Sequence, residues 1–319
     1  MAIGFNFDAN SSVGYGHLNR CNEIAKELKK RKQKTIAIVG KNFNNSFIDL
    51  HFDEVIKINS SFSDAGEIAQ ICIEKNIPKL LIDHYQCDVI FQETLTSYGI
   101  MFGQYDFKCE GSYLGKFVIN INPCANKGWY KKAVLNREIK LLCGAKFAII
   151  NPNLVTKPLE GEGVFVCMGG GNDNGVAASI INQVSRVYKG EIHLVASSLS
   201  SSVPLVEKLN NANITTHVDL SDYSEIIKRC HYAIVSAGTL SYEMAYIGIP
   251  FSCGYFAENQ IKIANSWQQS GLAHSLGCLT SKISGQPFKE LLNNISLKKP
   301  RKPLIDGLAA KRIAEVLLT

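Results

Sequence analysis

Short β-rich runs alternate with helix-periodic stretches along this chain, in two successive series, and this alternation restricts the fold more than any other feature. In the first series Ile3–Phe7 is followed by a helical stretch from about Leu18 to Arg31 and then by Thr35–Val39. Leu18, Cys21, Ile24, Ala25 and Leu28 fall on one face of that helix at helical spacing, opposite Asn22, Lys26 and Lys29. This is one βαβ unit. The pattern continues with a helix near Asp64–Lys75 and strands near Lys79–Ile82, Gly99–Phe102 and Phe117–Ile121. Strands joined through helices pair in parallel and are covered on both faces.

The second series begins at Gly163–Met168, after a polar stretch, Asn151–Gly163, that contains Pro and Gly and reads as a linker. Its strands are expected near Ile192–Ala196, Ile214–His217, Ala233–Ser236 and Pro250–Cys253, and its helices near Asn174–Tyr188, Tyr223–Cys230, Ser241–Ile247 and Gln260–Ser270. At 319 residues the chain exceeds one ordinary α/β core of about 100–200 residues. Two Rossmann-like domains are expected, residues 1–152 and 163–319. The final helical stretch, Ile305–Leu318, either closes the second domain, where the boundary places it, or crosses back to the first.

Apolar residues make up 46% of the chain and charged residues 19%, enough for two cores and without the signature of disorder. The formal charge of +6 comes from scattered Lys and Arg, apart from short runs at Lys29–Lys32 and Lys298–Lys302 beside helix-like segments. That distribution argues against nucleic acid as a partner and suits a phosphorylated ligand. Ten cysteines occur with no CxxC pair and no metal-like cluster, and several, such as Cys167, sit inside apolar runs. A reducing, cytoplasmic setting without metal or cofactor is expected. No apolar stretch approaches the roughly 18 residues that span a bilayer, so stable membrane insertion is not expected. Nothing in the sequence indicates the oligomeric state.

Ligands of open parallel sheets bind at the carboxyl ends of strands, so the residues just after each strand carry the functional expectations. The first such loop starts at Asp8 and ends in Gly14-Tyr15-Gly16-His17, where the first helix begins. Its glycines let the backbone approach a ligand, and His17 lies where the helix N-terminus disfavours an imidazolium, making it a candidate general base. The other reading is a packing or capping histidine. Asp83-His84-Tyr85 follows the strand Lys79–Ile82: Asp83 is placed to orient an imidazole, His84 to contact substrate and Tyr85 to stack on a sugar, or the three make a strand-end turn with a capping Asp. Asn122, after a further strand, offers an amide to sugar hydroxyls.

In the second half, Gly169-Gly170-Gly171 joins a strand to a helix and exposes backbone N–H groups suited to a diphosphate. It lacks the Gly-Lys-[Ser/Thr] ending of a Walker loop and the spacing of a dinucleotide fingerprint. Ser236-Ala237-Gly238-Thr239 opens a helix containing Glu243, a combination that fits phosphate at the helix end and ribose hydroxyls on the carboxylate, or else a small-residue turn with a solvated Glu. Glu258-Asn259-Gln260 follows the next strand and completes the candidate nucleotide-binding set.

Taken together, Ser236-Ala237-Gly238-Thr239, Glu243, Gly248-Ile249-Pro250 and Glu258-Asn259-Gln260 resemble the donor-binding half of MurG-like glycosyltransferases. Gly14-Tyr15-Gly16-His17-Leu18-Asn19-Arg20, Ile82-Asp83-His84-Tyr85 and Cys167-Met168-Gly169-Gly170 resemble the PseG family, UDP-sugar hydrolases of the pseudaminic acid pathway. The resemblance implies a GT-B fold, with two parallel sheets facing a central cleft. It also implies metal-independent hydrolysis of UDP-2,4-diacetamido-2,4,6-trideoxy-β-L-altropyranose or a related sugar, with His17 as the base and Gly238, Thr239, Glu243, Asn259 and Gln260 on the nucleotide. Transfer of the sugar to a hydroxyl acceptor is the alternative. Asn6 stands where the family usually has an arginine, and Gly103-Gln104-Tyr105-Asp106 where an Asp-Asp pair is expected. Ile149-Ile150-Asn151-Pro152 occupies the place of a further arginine.

Overall fold

The computed structural model describes residues 1–9, 15–44, 49–59, 61, 63–151, 154, 161–220, 222–280, 285–296 and 305–319, with the backbone alone at 259, 285, 286 and 296. Gly14 lies outside the described residues, as does the side chain of Asn259. By internal contacts the chain divides into two compact units. The first comprises Met1–Ile121, Ala125–Ile149 and Leu308–Thr319, and the second Asn122–Cys124 and Ile150–Gly307.

The first unit runs β1 (Ile3–Phe7), α1 (Gly16–Lys30), β2 (Thr35–Val39), β3 (Glu54–Lys57), α2 (Ala65–Glu74), β4 (Lys79–Asp83), α3 (Val89–Ser97), β5 (Met101–Tyr105), β6 (Ser112–Tyr113), β7 (Phe117–Asn120), β8 (Val134–Leu135) and β9 (Lys140–Cys143). Seven strands form one sheet in the order β3-β2-β1-β4-β5-β7-β9, and every pairing is parallel. All five residues of β1 and of β2 are buried, which is why these runs are mostly apolar rather than alternating, with Asn6 and Thr35 as buried polar members. Helix α1 buries the stripe Leu18, Cys21, Ile24, Ala25 and Leu28 and ends on Lys29 and Lys30, cations that suit the negative end of a helix. The aspartates Asp64 and Asp88 cap α2 and α3 by accepting from Glu67 N and Phe91 N. Ile36, Ile38, Ile68, Leu80, Ile82, Leu95 and Phe102 fill the core under α2 and α3. Each such side chain contributes about 1.5–3 kcal/mol by leaving water.

The second unit runs β10 (Gly163–Cys167), α4 (Val176–Val184), β11 (Ile192–Ala196), α5 (Ser202–Glu207), β12 (Ile214–Val218), α6 (Ser224–Lys228), β13 (Cys230–Ser236), α7 (Thr239–Ile247), β14 (Phe251–Tyr255), α8 (Glu258–Gln269), β15 (Ala273–Cys278) and α9 (Gly285–Ser296). Its six strands are parallel in the order β12-β11-β10-β13-β14-β15. In both sheets the first strand of the unit lies at the centre and the chain winds outward first to one side and then to the other. The order reverses between β1 and β4 in one sheet and between β10 and β13 in the other. These are the doubly wound topologies expected from the alternation, and their reversal points are where such sheets take ligands.

Two boundaries differ from the expectation. The last helix, α10 (Ala309–Leu318), packs on α1 and belongs to the first unit. It buries Ala309, Ile313, Ala314 and Leu317, Lys79 Nζ donates to Leu317 O at 3.1 Å, and Arg312 donates to Lys146 O at 3.0 Å. The second unit therefore ends at Gly307 instead of 319. Asn122 likewise belongs to the second unit, because Cys124 in the same short segment donates its thiol to Ser266 O at 3.3 Å. Among the described residues no helix is long and apolar enough to cross a membrane.

Candidate active site and nucleotide-binding corners

The reversal point of the first sheet brings together the end of β4 and the start of α1. Asp83 closes β4, fully buried, and its carboxylate is surrounded by donors from one face of α1. His17 Nδ1 lies 2.8 Å from Oδ1, Arg20 Nη2 donates to the same oxygen at 2.8 Å, and Arg20 Nε donates to Oδ2 at 2.9 Å. Residues 17, 20 and 21 share a helix face by i, i+3 and i, i+4 spacing, and Cys21 completes the set with its thiol 3.9 Å from Oδ2. Burial alone would raise the Asp83 pKa, but the charge of Arg20 and the hydrogen bond from His17 outweigh it and hold the carboxyl at about 2. For Arg20 burial works against the charge, and Asp83 more than offsets it, so the guanidinium stays charged.

An ionised carboxylate on Oδ1 requires a donor, which assigns the imidazole proton to Nδ1 and leaves Nε2 as the acceptor. The 3.0 Å approach of Arg20 Nη2 to His17 Nδ1 follows from both groups converging on one oxygen. Nε2 makes no hydrogen bond among the described residues. His17 is 5% exposed. The arrangement is that of an imidazole oriented by a carboxylate, with Nε2 able to accept a proton.

The other residues of this region divide by role. His84 is buried, its Nε2 lies 2.8 Å from Asn6 Oδ1, and its Nδ1 accepts from Gln86 N at 3.2 Å. Both ring nitrogens are thus engaged by protein, and burial lowers the His84 pKa to about 4. Asn6 in turn donates to Ile38 O at 3.1 Å, so it ties β2 to the residue after Asp83. His84, expected to contact substrate, instead fixes the strand end that presents Asp83. Asp8 is buried and accepts from Ala9 N at 3.0 Å, Gly16 opens α1 on the surface, and Asn122 accepts from Cys124 N at 3.1 Å.

Tyr85 stands edge-on to His17, with ring centroids 5.3 Å apart at 87°, and is 52% exposed. Tyr85 also lies 5.5 Å from Phe107. The Arg20 guanidinium lies 5.1 Å from the ring centre of Tyr105 and 6.0 Å from that of Phe107. Arg20, Tyr105 and Phe107 carried no role in the sequence reading. The spacing of Arg20 from His17 was a usable signal; the aromatic pair had none, because it comes from the end of β5 and the bend after it.

At the reversal point of the second sheet the glycine run after β10 lies beside the end of β13. Gly169 has φ +111°, in the left-handed region, whereas a Cβ built on Gly170 or Gly171 meets nothing within 4 Å and neither has a left-handed φ. No feature of the protein itself requires glycine at those two positions. Asp173 anchors the loop by accepting from Ala177 N at 2.9 Å and from Ser200 Oγ at 2.7 Å. Burial would raise its pKa, and the hydroxyls of Ser202 and Ser200 outweigh that and lower it.

Ser236 and Ala237 are buried at the end of β13, and Ala237 N donates to Gly254 O at 2.7 Å. Gly238 precedes α7, whose first residue, Thr239, is exposed. Gln260 accepts from Phe256 N at 2.9 Å, and its amide nitrogen lies 3.8 Å from where a Gly238 Cβ would stand, so the corners after β13 and β14 converge. Glu243 is buried and accepts from Tyr223 Oη, and burial raises its pKa. It is therefore not a solvated glutamate. Glu258 is exposed at the start of α8. Among the described residues no three His, Cys, Asp or Glu side chains are grouped to hold a metal ion.

No known protein-family profile matches the sequence. The chain is 21% identical over 281 residues to the UDP-2,4-diacetamido-2,4,6-trideoxy-beta-L-altropyranose hydrolase of Campylobacter jejuni subsp. jejuni serotype O:2, covering 85% of this chain and 97% of that protein. Among solved structures it is similar to MurG of Acinetobacter baumannii, with a TM-score of 0.67 at 12% identity over 100% of this chain and 99% of that one. It is also similar to S. aureus MnaA, solved with UDP, with a TM-score of 0.61 at 11% identity over 98% and 94% of the two chains. These likenesses establish the GT-B fold.

Proposed function

We propose that this chain hydrolyses a UDP-linked amino or deoxy sugar, UDP-2,4-diacetamido-2,4,6-trideoxy-β-L-altropyranose or a related one, to the free sugar and UDP. The observation that carries the reading is the orientation of His17 by Asp83, with Nδ1 at 2.8 Å and Arg20 forking the carboxylate. In the proposed step His17 Nε2 takes a proton from water as the water oxygen bonds to the anomeric carbon. The bond from that carbon to the diphosphate oxygen breaks, and its electron pair leaves with UDP. Asp83 stabilises the imidazolium formed, and a base held this way contributes about 10²–10⁴-fold in rate.

The second unit carries the groups assigned to the nucleotide. N–H groups at the start of α7 and at Gly170 and Gly171 suit the charge that grows on the diphosphate. Glu243, Asn259 and Gln260 are assigned to the nucleoside, and Tyr85 to the sugar. The name of the Campylobacter jejuni relative supports hydrolysis, and the UDP bound by MnaA supports the nucleotide. Ten free thiols, six of them buried, fit a cytoplasmic setting.

The test is release of UDP from a panel of UDP-sugars without acceptor. Release insensitive to EDTA, and nearly abolished in His17→Ala with UDP binding retained, is expected. An unchanged rate in His17→Ala removes the assigned role. The similarity to MurG favours one other outcome, sugar transfer to a hydroxyl acceptor, recognised by UDP that appears only after an acceptor alcohol is added.

A further inference from the structure

Beside the His17 site, at the carboxyl ends of β4 and β5, lies a cavity of about 300 Å³ whose lining includes Tyr85, Asp88, Gln104, Phe107, Lys108 and Glu110. Two of its walls are aromatic. Phe107 is held there by its neighbours in sequence: Asp106 accepts from Lys108 N at 3.0 Å, Cys109 N at 3.0 Å and Tyr130 Oη at 2.7 Å, which fixes the backbone on both sides of Phe107. The Phe107 ring meets Tyr85 at 5.5 Å, and Tyr85 meets His17 at 5.3 Å, so a continuous aromatic contact runs from this rigid corner to the base. Phe107 is half-buried and Tyr85 is 52% exposed, leaving both with surface toward a ligand.

The charge around the cavity is one-sided. Asp88, Asp106 and Glu110 contribute carboxyls against the single amine of Lys108. Such a wall repels phosphate and carboxylate and accepts hydroxyl and amide donors, while the aromatic faces favour the C–H face of a sugar ring.

We infer that Phe107 is a positioning and specificity residue: it holds Tyr85 against His17, and with Tyr85 it forms the wall of a subsite for a neutral pyranose ring from which uronic acids are excluded. The inference rests on the nucleotide-sugar reading above and adds a residue that selects the sugar. Two partners are involved. Tyr85 touches both the ring and His17, whereas Phe107 acts on His17 only through Tyr85.

The test measures binding to the full chain by calorimetry and by saturation-transfer NMR, using UDP, UDP-N-acetylglucosamine, UDP-N-acetylgalactosamine and UDP-glucuronate. At least one neutral sugar is expected to bind about tenfold more tightly than UDP-glucuronate, with saturation reaching its ring protons. Phe107→Leu should lose about tenfold in affinity for that sugar while its affinity for UDP is unchanged, and Phe107→Tyr should restore it. Glucuronate bound as well as the neutral sugars, no neutral sugar gaining over UDP, or equal weakening of UDP and UDP-sugar in Phe107→Leu each overturns the inference. Phe107→Tyr covers the case in which the leucine variant does not fold. Hydrolysis is scored separately: Phe107-dependent sugar binding without UDP release overturns the hydrolase reading alone.

Discussion

Asp83 holds His17 through a single carboxylate oxygen, Oδ1, 2.8 Å from Nδ1, while Arg20 grips both oxygens from the next turn of the same helix. Position along β4, charge and tautomer thus all meet in one buried group. Asp83→Asn keeps the shape, removes the charge and offers an amide that serves His17 and Arg20 at once only poorly. The expected loss in kcat is about 10²–10⁴-fold with UDP affinity retained, measured by UDP release and calorimetry. A rate within twofold of wild type would remove Asp83 from the mechanism.

Arg20→Lys separates charge from geometry. A lysine ammonium is a point charge and cannot reproduce the two-pronged contact with Oδ1 and Oδ2. The lysine variant should lose about tenfold in kcat and be less stable by about 1–3 kcal/mol, read from urea unfolding. Equal stability of the two proteins would mean that the fork is dispensable.

Acid should unfold the first unit in two stages. The unfolded chain protonates His84 near its ordinary value of 6.5, whereas burial keeps the folded pKa at about 4, so stability is fully present above about pH 6.5 and falls as pH drops toward 4. The full difference corresponds to about 3 kcal/mol. Asp83, ordinarily near 3.8 and held at about 2, contributes stability present above about pH 4 and lost as pH falls toward 2, about 2 kcal/mol in all. Urea midpoints measured from pH 8 to pH 3 should fall along both limbs, and His84→Gln should flatten the upper one alone.

The alternation of strands and helices was readable because these strands are buried on both faces and appear as short, mostly apolar runs, as in Ile3–Phe7 and Ile192–Ala196. Edge and partly exposed elements were not: β3, β9 and β15 mix charged or polar residues with apolar ones and have no clean period. The site was readable where a loop follows a strand, as at His17 and Asp83. It was unreadable where contacts cross strands, since nothing local links Tyr105 or Phe107 to Arg20. His84 shows the opposite difficulty. A histidine next to Asp83 looks functional in sequence, and its two ring partners, Asn6 and Gln86, show that it braces the fold.

Glycines provide a stability-blind probe of the nucleotide corner. Gly170→Ala places its methyl in open space, so the melting temperature should stay within about 2 °C of wild type while UDP affinity falls about tenfold or more. Gly103→Ala is the counterpart, because a Cβ there would lie 2.2 Å from the Phe117 ring. It should cost about 1–3 kcal/mol through overpacking. If Gly170→Ala melted early or bound UDP normally, the corner would be a structural turn.

Because α10 docks on α1, the sequence of the second unit is spliced into that of the first, between Ile149 and Leu308. During synthesis the ribosome must therefore complete every strand of the later sheet before the earlier one receives its closing helix. A gene cut at the apparent linker would yield an amino-terminal fragment with the apolar flank of α1 bare. The two halves of this protein are thus inseparable by simple truncation, although each has a sheet of its own.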